Sequence, residues 1–428
     1  MERSIGSTES ESAWLRLGVI GYGNRGVIAE RAAEQDGRAE VTVVIEPHPA
    51  GRRRAARDFD PGRTRVIDSV DQLGEGEVDA VFVTSPDHLH AEQAIALLER
   101  GVAVFVDKPL AITLPDADRI LAAAHRTGTR LYVGHNMRHM PVIRLLKSLI
   151  DDGMIGEVKA VWCRYFVGDG GDRFFKDWHA DRSKVNSLLL QKASHDLDVI
   201  NWLAGGYPRR VVGTGGQTLY AGIQDRQDRS DQLVTDWLSR KDNWPPLAQR
   251  GLNPVIDVED LSMVQLQLDN GVLASYQECH YTPDYWRNYT VIGTEGRLEN
   301  FGLDHSGVVR LWNRRSEYLP NGDREFPIPN VEGGHHGADP ALFREFLAFV
   351  RTGAPTETSP VAARQAVAAA ALATESMRDG STPRDVPALP PELLAYFDGG
   401  QVAAAAADPN HVAKNGLHLQ QSFAETDH

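Results

Sequence analysis

The stretch Gly21-Tyr22-Gly23-Asn24-Arg25-Gly26 decides the fold of the first part of the chain, because it lies between an apolar run at residues 15–20 and a helix-like segment at residues 27–34. In a strand–turn–helix unit of this kind, the first glycine allows the tight turn, the second lets the backbone approach a pyrophosphate, and the third lets helix and strand pack closely. The helix N-terminus also offers free N–H groups to the phosphates. The motif therefore predicts a dinucleotide site formed by Gly21, Tyr22, Gly23, Asn24, Arg25 and Gly26.

The second predicted strand, residues 41–45, ends at Glu46. Glu46 lies about 20 residues beyond the glycine motif, where an acidic residue binds the ribose hydroxyls of NAD. A carboxylate at this position repels the 2′-phosphate of NADP, so we expect NAD as the cofactor, with NADP as the open alternative. Three arginines at residues 52–54 favour NADP weakly, but we expect them to form a solvated helix face.

The composition limits the possible classes of function. A length of 428 residues indicates two or three domains, and 42% hydrophobic residues are ordinary for a globular protein. A net charge of −14 argues against a broad basic surface for nucleic acid. The two cysteines, Cys163 and Cys279, provide no disulfide framework. Residues 1–12 do not resemble a secretory signal, and no apolar run reaches the ~18 residues needed to span a bilayer. We therefore expect a cytoplasmic protein without a membrane or nucleic-acid partner.

The order of strands and helices predicts an α/β protein with two main domains. Strand and helix patterns alternate over residues 14–150, which is typical of a Rossmann domain with a doubly wound parallel sheet. Over residues 151–385 several strand candidates follow one another without helices between them, and we expect an α+β domain with a large open, mostly antiparallel sheet. Residues 217–254 are expected to form a long excursion from that sheet. The terminal helices are expected to pack back on the first domain, and residues 1–13 and 399–428 are expected to be tails.

Two loops that follow strands carry polar residues at the carboxyl edge of the first sheet, where ligands of open α/β folds bind. One is residues 85–90, with Ser85, Pro86, Asp87 and His90, and the other begins at Asp107-Lys108-Pro109. A lysine at this edge can contact both cofactor and substrate. Taken alone, an exposed structural lysine is the commoner interpretation.

A third polar group opens a predicted helix in the second half of the chain. At ~100° per residue, Gln191, His195 and Asp198 share one face of that helix, and Lys192 lies beside it. An imidazole with a carboxylate one turn away is a reasonable proton acceptor. A single buried histidine is more often structural, so this interpretation depends on its neighbours.

Together, these motifs resemble the glucose–fructose oxidoreductase and inositol dehydrogenase family (Gfo/Idh/MocA) over about residues 14–380. Asp107-Lys108-Pro109 resembles the family's Glu-Lys-Pro, and His195 matches the histidine to which the family assigns proton transfer. The family often has Asp where this chain has Gln191. A branch with Lys in the next position is more similar, with Trp178-His179 upstream and a His-Gly-Gly-x-Asp-like stretch downstream, here residues 335–339.

The resemblance implies hydride transfer between nicotinamide and a hydroxyl carbon of a sugar, polyol or glycoside. It implies His195 as the base, Lys108 as the group that orients the hydroxyl, and Lys192 as an assistant or alternative base. The predicted cofactor contacts are the six residues of the glycine motif with Glu46, Ser85, Pro86, Asp87, His90, Asp107, Lys108 and Asn136. The predicted substrate contacts are Arg138, Trp178, His179, Asp198, Tyr285 and His335. No metal is predicted, because the adjacent histidines at residues 335–336 lack a clear third ligand.

Two further classes of function remain open at this stage. A glycosidase or lyase that oxidises its substrate transiently with a tightly held NAD would use the same residues. A regulator that senses the dinucleotide without catalysis would not need Lys108 and His195. Because an open antiparallel sheet tends to cover its free face and family members commonly pair through it, we also expect a homodimer or a homotetramer.

Overall fold

The structure is a computed structural model that describes residues 13–239 and 243–402. Most of the two predicted tails, residues 1–12 and 403–428, therefore lies outside the described residues. Within the described part, no helix is long and apolar enough to cross a membrane.

The first domain contains a parallel sheet in the order β3-β2-β1-β4-β5-β6. Its strands are β1 (Leu15–Ile20), β2 (Ala39–Ile45), β3 (Arg65–Ile67), β4 (Ala80–Val83), β5 (Ala103–Val106) and β6 (Leu131–Val133). The helices of this part are α1 (Val27–Asp36), α2 (Pro49–Asp58), α3 (His90–Glu99), α4 (Leu114–Thr127) and α5 (Pro141–Asp151). The strand order reverses between β1 and β4, and a dinucleotide binds at such a switch point.

The second domain contains a nine-stranded sheet in the order β14-β13-β12-β11-β7-β10-β9-β8-β15. Only β7 and β10 pair in parallel, and the other neighbours are antiparallel. Its strands are β7 (Val158–Phe166), β8 (Pro208–Gly216), β9 (Leu261–Leu268), β10 (Leu273–Cys279), β11 (Trp286–Gly293), β12 (Arg297–Phe301), β13 (Val308–Trp312), β14 (Arg324–Pro327) and β15 (Arg384–Asp385). These two sheets confirm the predicted fold class.

The longer helices in this part of the chain are α6 (Leu188–Ala204), α7 (Gly334–Thr352), α8 (Pro360–Arg378) and α9 (Pro391–Asp398), and single helical turns lie at Gly170–Arg173, Arg182–Val185 and Val234–Trp237. Of these longer helices, α6 and α8 pack against strands of the second sheet, whereas α7 and α9 pack against elements of the first domain. Phe346 of α7 packs against Phe82, Phe105 and Tyr132 of the first sheet, with ring centroids 5.1–5.4 Å apart. The hydrophobic core of the first domain is therefore completed by a helix from the C-terminal part of the chain.

The excursion at residues 217–254 is fixed at its base and touches the first domain. The Asp260 carboxylate accepts the backbone N–H groups of Thr218, Leu219 and Tyr220 at 2.7–2.9 Å. Farther out, the ring Nε2 of His48 lies 2.9 Å from the carbonyl oxygen of Ser230. Because His48 follows Glu46 by two residues, the excursion approaches the ribose end of the predicted dinucleotide site.

Candidate functional site

The glycine turn has the geometry that the motif requires. Gly21 adopts φ +84°, and a Cβ atom there would lie 2.5 Å from Cα of Ser85. A Cβ atom on Gly26 would lie 2.7 Å from Cα of Tyr22, whereas a Cβ atom on Gly23 would meet nothing within 4 Å. Two of the glycines thus allow close packing and the third faces open space. This cradle fits a pyrophosphate approached by the backbone at Gly23.

Glu46 is tied to the turn by its carboxylate. Its oxygens accept the backbone N–H of Tyr22 at 2.7 Å and of His48 at 2.8 Å, and burial raises the pKa of the carboxyl group. The expectation that residues 52–54 form a solvated face is wrong for Arg54. Its guanidinium donates to the carbonyl of Gly23 at 2.7 Å and lies 5.0 Å from the centre of the Tyr22 ring.

The two loops at the carboxyl edge of the sheet are joined by His90. Its ring nitrogens lie 2.7 Å from the carbonyl oxygen of Pro109 and 3.0 Å from that of Ser85. The hydroxyl of Ser85 donates to Gln93 at 2.5 Å. These contacts give His90 a structural role in holding the loop of Pro86 and Asp87 beside the loop of Lys108. The remaining motif residue, Asn24, is exposed at the turn.

A network of charged groups connects the glycine turn to α7. Arg25 pairs with Asp107 at 2.8 Å and lies 3.9 Å from Asp339. Asp339 also accepts a hydrogen bond from Asn136 at 3.1 Å and contacts Nδ1 of His335 at 2.9 Å. The sequence interpretation omitted Asp339 as a site residue, although it ends the quoted stretch 335–339.

The backbone before α7 is strained at the same place. Residues 335–337 all have positive φ, at 50°, 56° and 86°, so the regular helix begins beyond them. Left-handed conformations cost about 1–2 kcal/mol for a non-glycine residue, and such strain clusters at functional sites. The turn holds His335 half-exposed over the edge of the first domain.

Lys108 connects the two domains. Its ammonium donates to the carbonyl of Gln191 at 2.9 Å. Burial lowers the pKa of Lys108 to about 8, against the opposing charges of Asp87 and Asp107. Burial likewise raises the pKa of Asp87 to about 7, although the charge of Lys108 opposes that change. The site therefore contains a cation and a carboxyl group that both titrate near neutral pH.

His195 lies on α6, whose first turn is fixed by the Ser187 hydroxyl, which accepts the backbone N–H of Leu190 at 3.0 Å. The Nδ1 atom of His195 is buried and has no hydrogen-bond partner among the described residues. Burial lowers the pKa of His195 well below its ordinary value, and the charges of Lys108 and Arg287 lower it further. The imidazole is therefore neutral at neutral pH, the form that accepts a proton.

Asp196 follows His195 in the chain, and its carboxylate is bound by residues of strand β11. Asp196 pairs with Arg287 of β11 at 3.0 Å and accepts a hydrogen bond from the Tyr289 hydroxyl. Arg287 also lies 3.9 Å from the centre of the Tyr165 ring. The hydroxyls of Tyr165 and Tyr285 are 3.0 Å apart, and Tyr285 is half-exposed. The sequence analysis missed Arg287, because no motif marks a single arginine in a strand.

Lys192 faces a small aromatic cluster. Its ammonium lies 3.8 Å from the centre of the Phe174 ring. The His179 ring packs edge-on against Phe174 at 5.3 Å and stacks on Trp178 at 3.8 Å, and its Nδ1 lies 2.5 Å from Asp177. Burial lowers the pKa of Lys192 well below its ordinary value, and the charge of Lys108 adds to this effect. The structure thus places His179 against the ring that Lys192 faces, with Trp178 stacked on His179.

The proposed partnership between His195 and Asp198 is wrong. Asp198 binds Arg138 through two hydrogen bonds of 2.7 and 2.8 Å, and Nδ1 of His135 lies 3.2 Å from it. Burial alone would raise the pKa of Asp198, but the charges of Arg138 and His135 outweigh it and hold that pKa below the ordinary range. Because Arg138 and Asp198 are buried and bound to each other, their predicted contact with substrate gains no support from the geometry.

Comparisons with known proteins agree with this arrangement. Residues 15–135 match the family model described as an oxidoreductase family, NAD-binding Rossmann fold, and residues 147–386 match that family's C-terminal alpha/beta domain. A solved levoglucosan dehydrogenase, in complex with NADH and levoglucosan, superposes with a TM-score of 0.70 at 20% identity, over 87% of this chain and all of that one. This similarity shows a shared fold.

Two curated relatives match part of the chain. The 2,7-anhydro-N-acetylneuraminate hydratase of Mediterraneibacter gnavus is 29% identical over 51% of this chain, and an inositol 2-dehydrogenase of Klebsiella pneumoniae is 33% identical over 46% of it. Each match spans 56% of the relative's length.

The family match confirms three predictions from the sequence, namely the family itself, an oxidoreductase and NAD as the type of cofactor. The assignment of individual site residues stays a prediction. The two matched ranges together cover most of the described residues. The chain therefore belongs to the Gfo/Idh/MocA oxidoreductase family.

Proposed function

We propose that the protein transfers hydride between nicotinamide and a hydroxyl-bearing carbon of a sugar, polyol or glycoside. The observation that carries this proposal is the meeting of Lys108, from the edge of the dinucleotide domain, with the segment 191–195 of α6. His195 contributes a neutral imidazole to this place, and Lys108 contributes an ammonium group whose pKa is lowered. The curated inositol 2-dehydrogenase and the solved levoglucosan dehydrogenase support a polyol- or sugar-like substrate.

The residues around the site have separable roles in this proposal. When bound, NAD supplies the hydride acceptor, and the protein supplies position and charge. His195 accepts the proton of the substrate hydroxyl, since burial keeps it neutral. Lys108 donates a hydrogen bond to the same oxygen and stabilises negative charge that develops on it. Lys192 is the alternative base, because its pKa is also lowered.

The choice between NAD and NADP rests on the region of Glu46. Its buried carboxylate faces the glycine turn, which favours free ribose hydroxyls over a 2′-phosphate. Arg54 lies beside the same turn but is already bound to the Gly23 carbonyl and the Tyr22 ring. We therefore propose NAD as the preferred form, and tighter binding of NADP in a titration would contradict it.

The experiment is a reduction screen with the purified chain. Sugars, inositols and glycosides are supplied with NAD, and absorbance of NADH is followed. The proposal expects at least one polyhydroxylated substrate to be oxidised by the unaltered chain, and to be oxidised at least about 100-fold more slowly by Lys108→Ala or His195→Ala. Activity that survives in both variants would contradict the assignment of the site.

A redox-neutral reaction is the second candidate, and one comparison favours it. The curated relative from Mediterraneibacter gnavus is named a hydratase, and a hydration involves no net oxidation. The same His195 and Lys108 would serve here. Turnover of a glycoside or anhydro sugar without accumulation of NADH would establish this alternative.

We propose that a homodimer, or a tetramer of such dimers, covers the outer face of the nine-stranded sheet. On that face Trp162 is 49% exposed, Met263 45% and Leu273 56%. Trp162 lies in a groove with Arg164, Gln277, Thr290 and Arg297. Trp, Met and Arg are enriched at protein interfaces relative to the rest of the surface. Light scattering at micromolar concentration that gives a monomer mass would contradict the proposal.

We also propose that the protein works in the cytoplasm. Both cysteines are free thiols, and Cys163 is buried beside Asp196. Free thiols are usual in reducing compartments. Fractionation of cells that express a tagged chain would test this location, and recovery outside the cytoplasm would contradict it.

A further inference from the structure

We propose that the substrate of this site carries an anionic group, a carboxylate or a phosphate, and that Arg173 and Lys192 bind it. This inference rests on the proposed function and specifies the class of sugar-like substrate. We call Arg173, Phe174 and Lys192 the cationic platform. Arg173 lies in the single helical turn Gly170–Arg173.

The platform is built on one aromatic ring. The Lys192 ammonium lies 3.8 Å from the centre of the Phe174 ring, and the Arg173 guanidinium carbon lies 5.3 Å from it. Two cations that contact one ring lie near each other, and their repulsion contributes to the lowered pKa of Lys192. Like charges held together in this way are costly, and an anion placed between them removes the cost.

The other cations at the site already have carboxylate partners. Arg25 pairs with Asp107 at 2.8 Å, and Arg287 pairs with Asp196 at 3.0 Å. Within residues 13–239 and 243–402, neither Arg173 nor Lys192 forms an ion pair within 4.0 Å. The Nε atom of Arg173 is buried and has no hydrogen-bond partner in the same part of the chain.

The acidic residues closest along the chain do not neutralise Arg173. Asp172 accepts hydrogen bonds from the amide groups of Asn243 and of Gln249, the latter at 3.1 Å. Asp177 contacts the ring of His179. The charge of Asp169 favours the protonated form of Lys192, but burial and the charges of Lys108 and Arg173 outweigh it and lower the pKa of Lys192. Among the described residues, no ion-pair partner therefore offsets the charge of Arg173.

The platform lies close enough to the reacting groups to contact the same small molecule. Lys192 precedes His195 by about one helical turn, and the Lys108 ammonium donates to the carbonyl of Gln191, the residue before Lys192. Lys108 and His195 suffice for the reacting hydroxyl. Lys192 and Arg173 are then left to bind a second group of the substrate, and a guanidinium suits the planar geometry of a carboxylate or the oxygens of a phosphate.

The test compares matched substrates that differ in one group. Rates of NAD reduction are measured with D-glucose, D-glucuronate and D-glucose 6-phosphate, and with D-galactose and D-galacturonate. For the unaltered chain, we expect kcat/KM for an anionic member to exceed that for its neutral partner by at least about tenfold, the order expected when a charged group finds a built partner. A higher kcat/KM for D-glucuronate than for D-glucose 6-phosphate identifies a carboxylate as the preferred anionic group, and the reverse order identifies a phosphate.

The variants assign this preference to the platform. Arg173→Gln should reduce the ratio of anionic to neutral kcat/KM to within about threefold of one, because one charge-assisted contact is lost. Arg173→Lys should restore part of the ratio. Arg209→Gln removes an exposed arginine of the same domain and should leave the ratio at its original value. An unaltered chain that prefers neutral sugars, or an Arg173→Gln variant with an unchanged ratio, would overturn the proposal.

A binding measurement separates this proposal from the proposed function. Calorimetric titration of the NAD-loaded chain with glucuronate and with glucose does not require turnover. Tighter binding of glucuronate that is lost in Arg173→Gln supports the platform even when no hydride transfer is seen. Equal binding of the two sugars, or binding of neither, overturns the platform irrespective of the reaction catalysed.

Discussion

The glycine turn and helix α6 carry the two halves of the candidate site, and they do so by different means. The turn acts through backbone geometry, in which Gly21 and Gly26 pack closely and Gly23 faces open space. Helix α6 acts through side chains whose charges depend on Lys108 and Arg287, from two other segments. A site formed by the backbone of one turn is determined by a short segment of sequence. A site formed by side chains from several elements exists only when segments far apart in the sequence meet in the fold.

The largest expected effect tests the side-chain half. His195→Ala should lower turnover by ~10² to 10⁴-fold, which is the usual contribution of a general base. Affinity for NAD should change little, because His195 lies on α6 and the phosphates lie at the glycine turn. Stopped-flow rates of NADH formation and a fluorescence titration with NADH measure the two quantities.

Lys192→Ala is the matched comparison for His195→Ala. If Lys192→Ala abolishes turnover while His195→Ala keeps nearly full activity, the base is Lys192 and the roles on α6 are reversed. The lowered pKa of both side chains makes both outcomes chemically possible. Only the pair of variants separates them.

The buried pair of Arg138 and Asp198 provides the next largest effect. Asp198→Asn leaves the Arg138 charge buried without its partner, and we expect a loss of ~3–5 kcal/mol in the free energy of unfolding. Urea denaturation followed by circular dichroism measures it. The control is Asp71→Asn in the exposed pair with Arg100, 3.4 Å apart, where the loss should be ~0–1 kcal/mol. A similar small loss in both variants would contradict a structural role for Asp198.

The difference between backbone and side chains explains what the sequence could predict. The predicted strand at residues 15–20 has the bounds of β1 in the structure, and residues 41–45 form most of β2, because an apolar run between turn signals fixes a strand locally. Helix α5 was not predicted despite its apolar face, and the two-residue β15 is too short to leave a pattern. Short elements are fixed by the neighbours with which they pair.

The candidate site shows the same difference, because its local features were predictable from the sequence and its contacts between distant residues were not. Helical periodicity placed His195 and Asp198 on one face of α6, but the sequence could not show that Arg138, 60 residues earlier, takes the carboxylate. Arg287 was missed for the same reason. Asp339 had a signal, because it ends the stretch 335–339, and the strained backbone there is a property that only the structure shows.

Two glycine variants test the backbone half, with a smaller effect on binding. Gly23→Ala places a methyl group in open space near the expected pyrophosphate, so NAD should bind at least about tenfold more weakly while the free energy of unfolding stays within ~1 kcal/mol. Gly21→Ala should instead destabilise the fold, because its φ of +84° and the approach to Ser85 leave no room for a Cβ atom. Loss of stability in Gly23→Ala would contradict the assignment of its open side to the cofactor.

The pH profile of oxidation tests the charge states of His195 and Lys108, the two groups proposed to act on the reacting hydroxyl. Neutral His195 is the active form, and because burial lowers its pKa, the rise in kcat/KM should occur below the ordinary value near 6.5. The protonated form of Lys108 is the active one. Its pKa of about 8 means that this form is present below pH 8 and lost above it, so kcat/KM should fall by about tenfold for each further pH unit.

Lys108→Arg tests the assignment of the falling limb, because a guanidinium keeps its charge throughout the accessible pH range. Residual activity in this variant should no longer fall above pH 8, while the rise at low pH should stay where it is in the unaltered chain. If the decrease in kcat/KM above pH 8 persists in Lys108→Arg, another group titrates there. Asp87, whose pKa is influenced by the charge of Lys108, is then the first residue to substitute. The falling limb would then belong to Asp87 in the loop after β4 and not to Lys108 in the loop after β5.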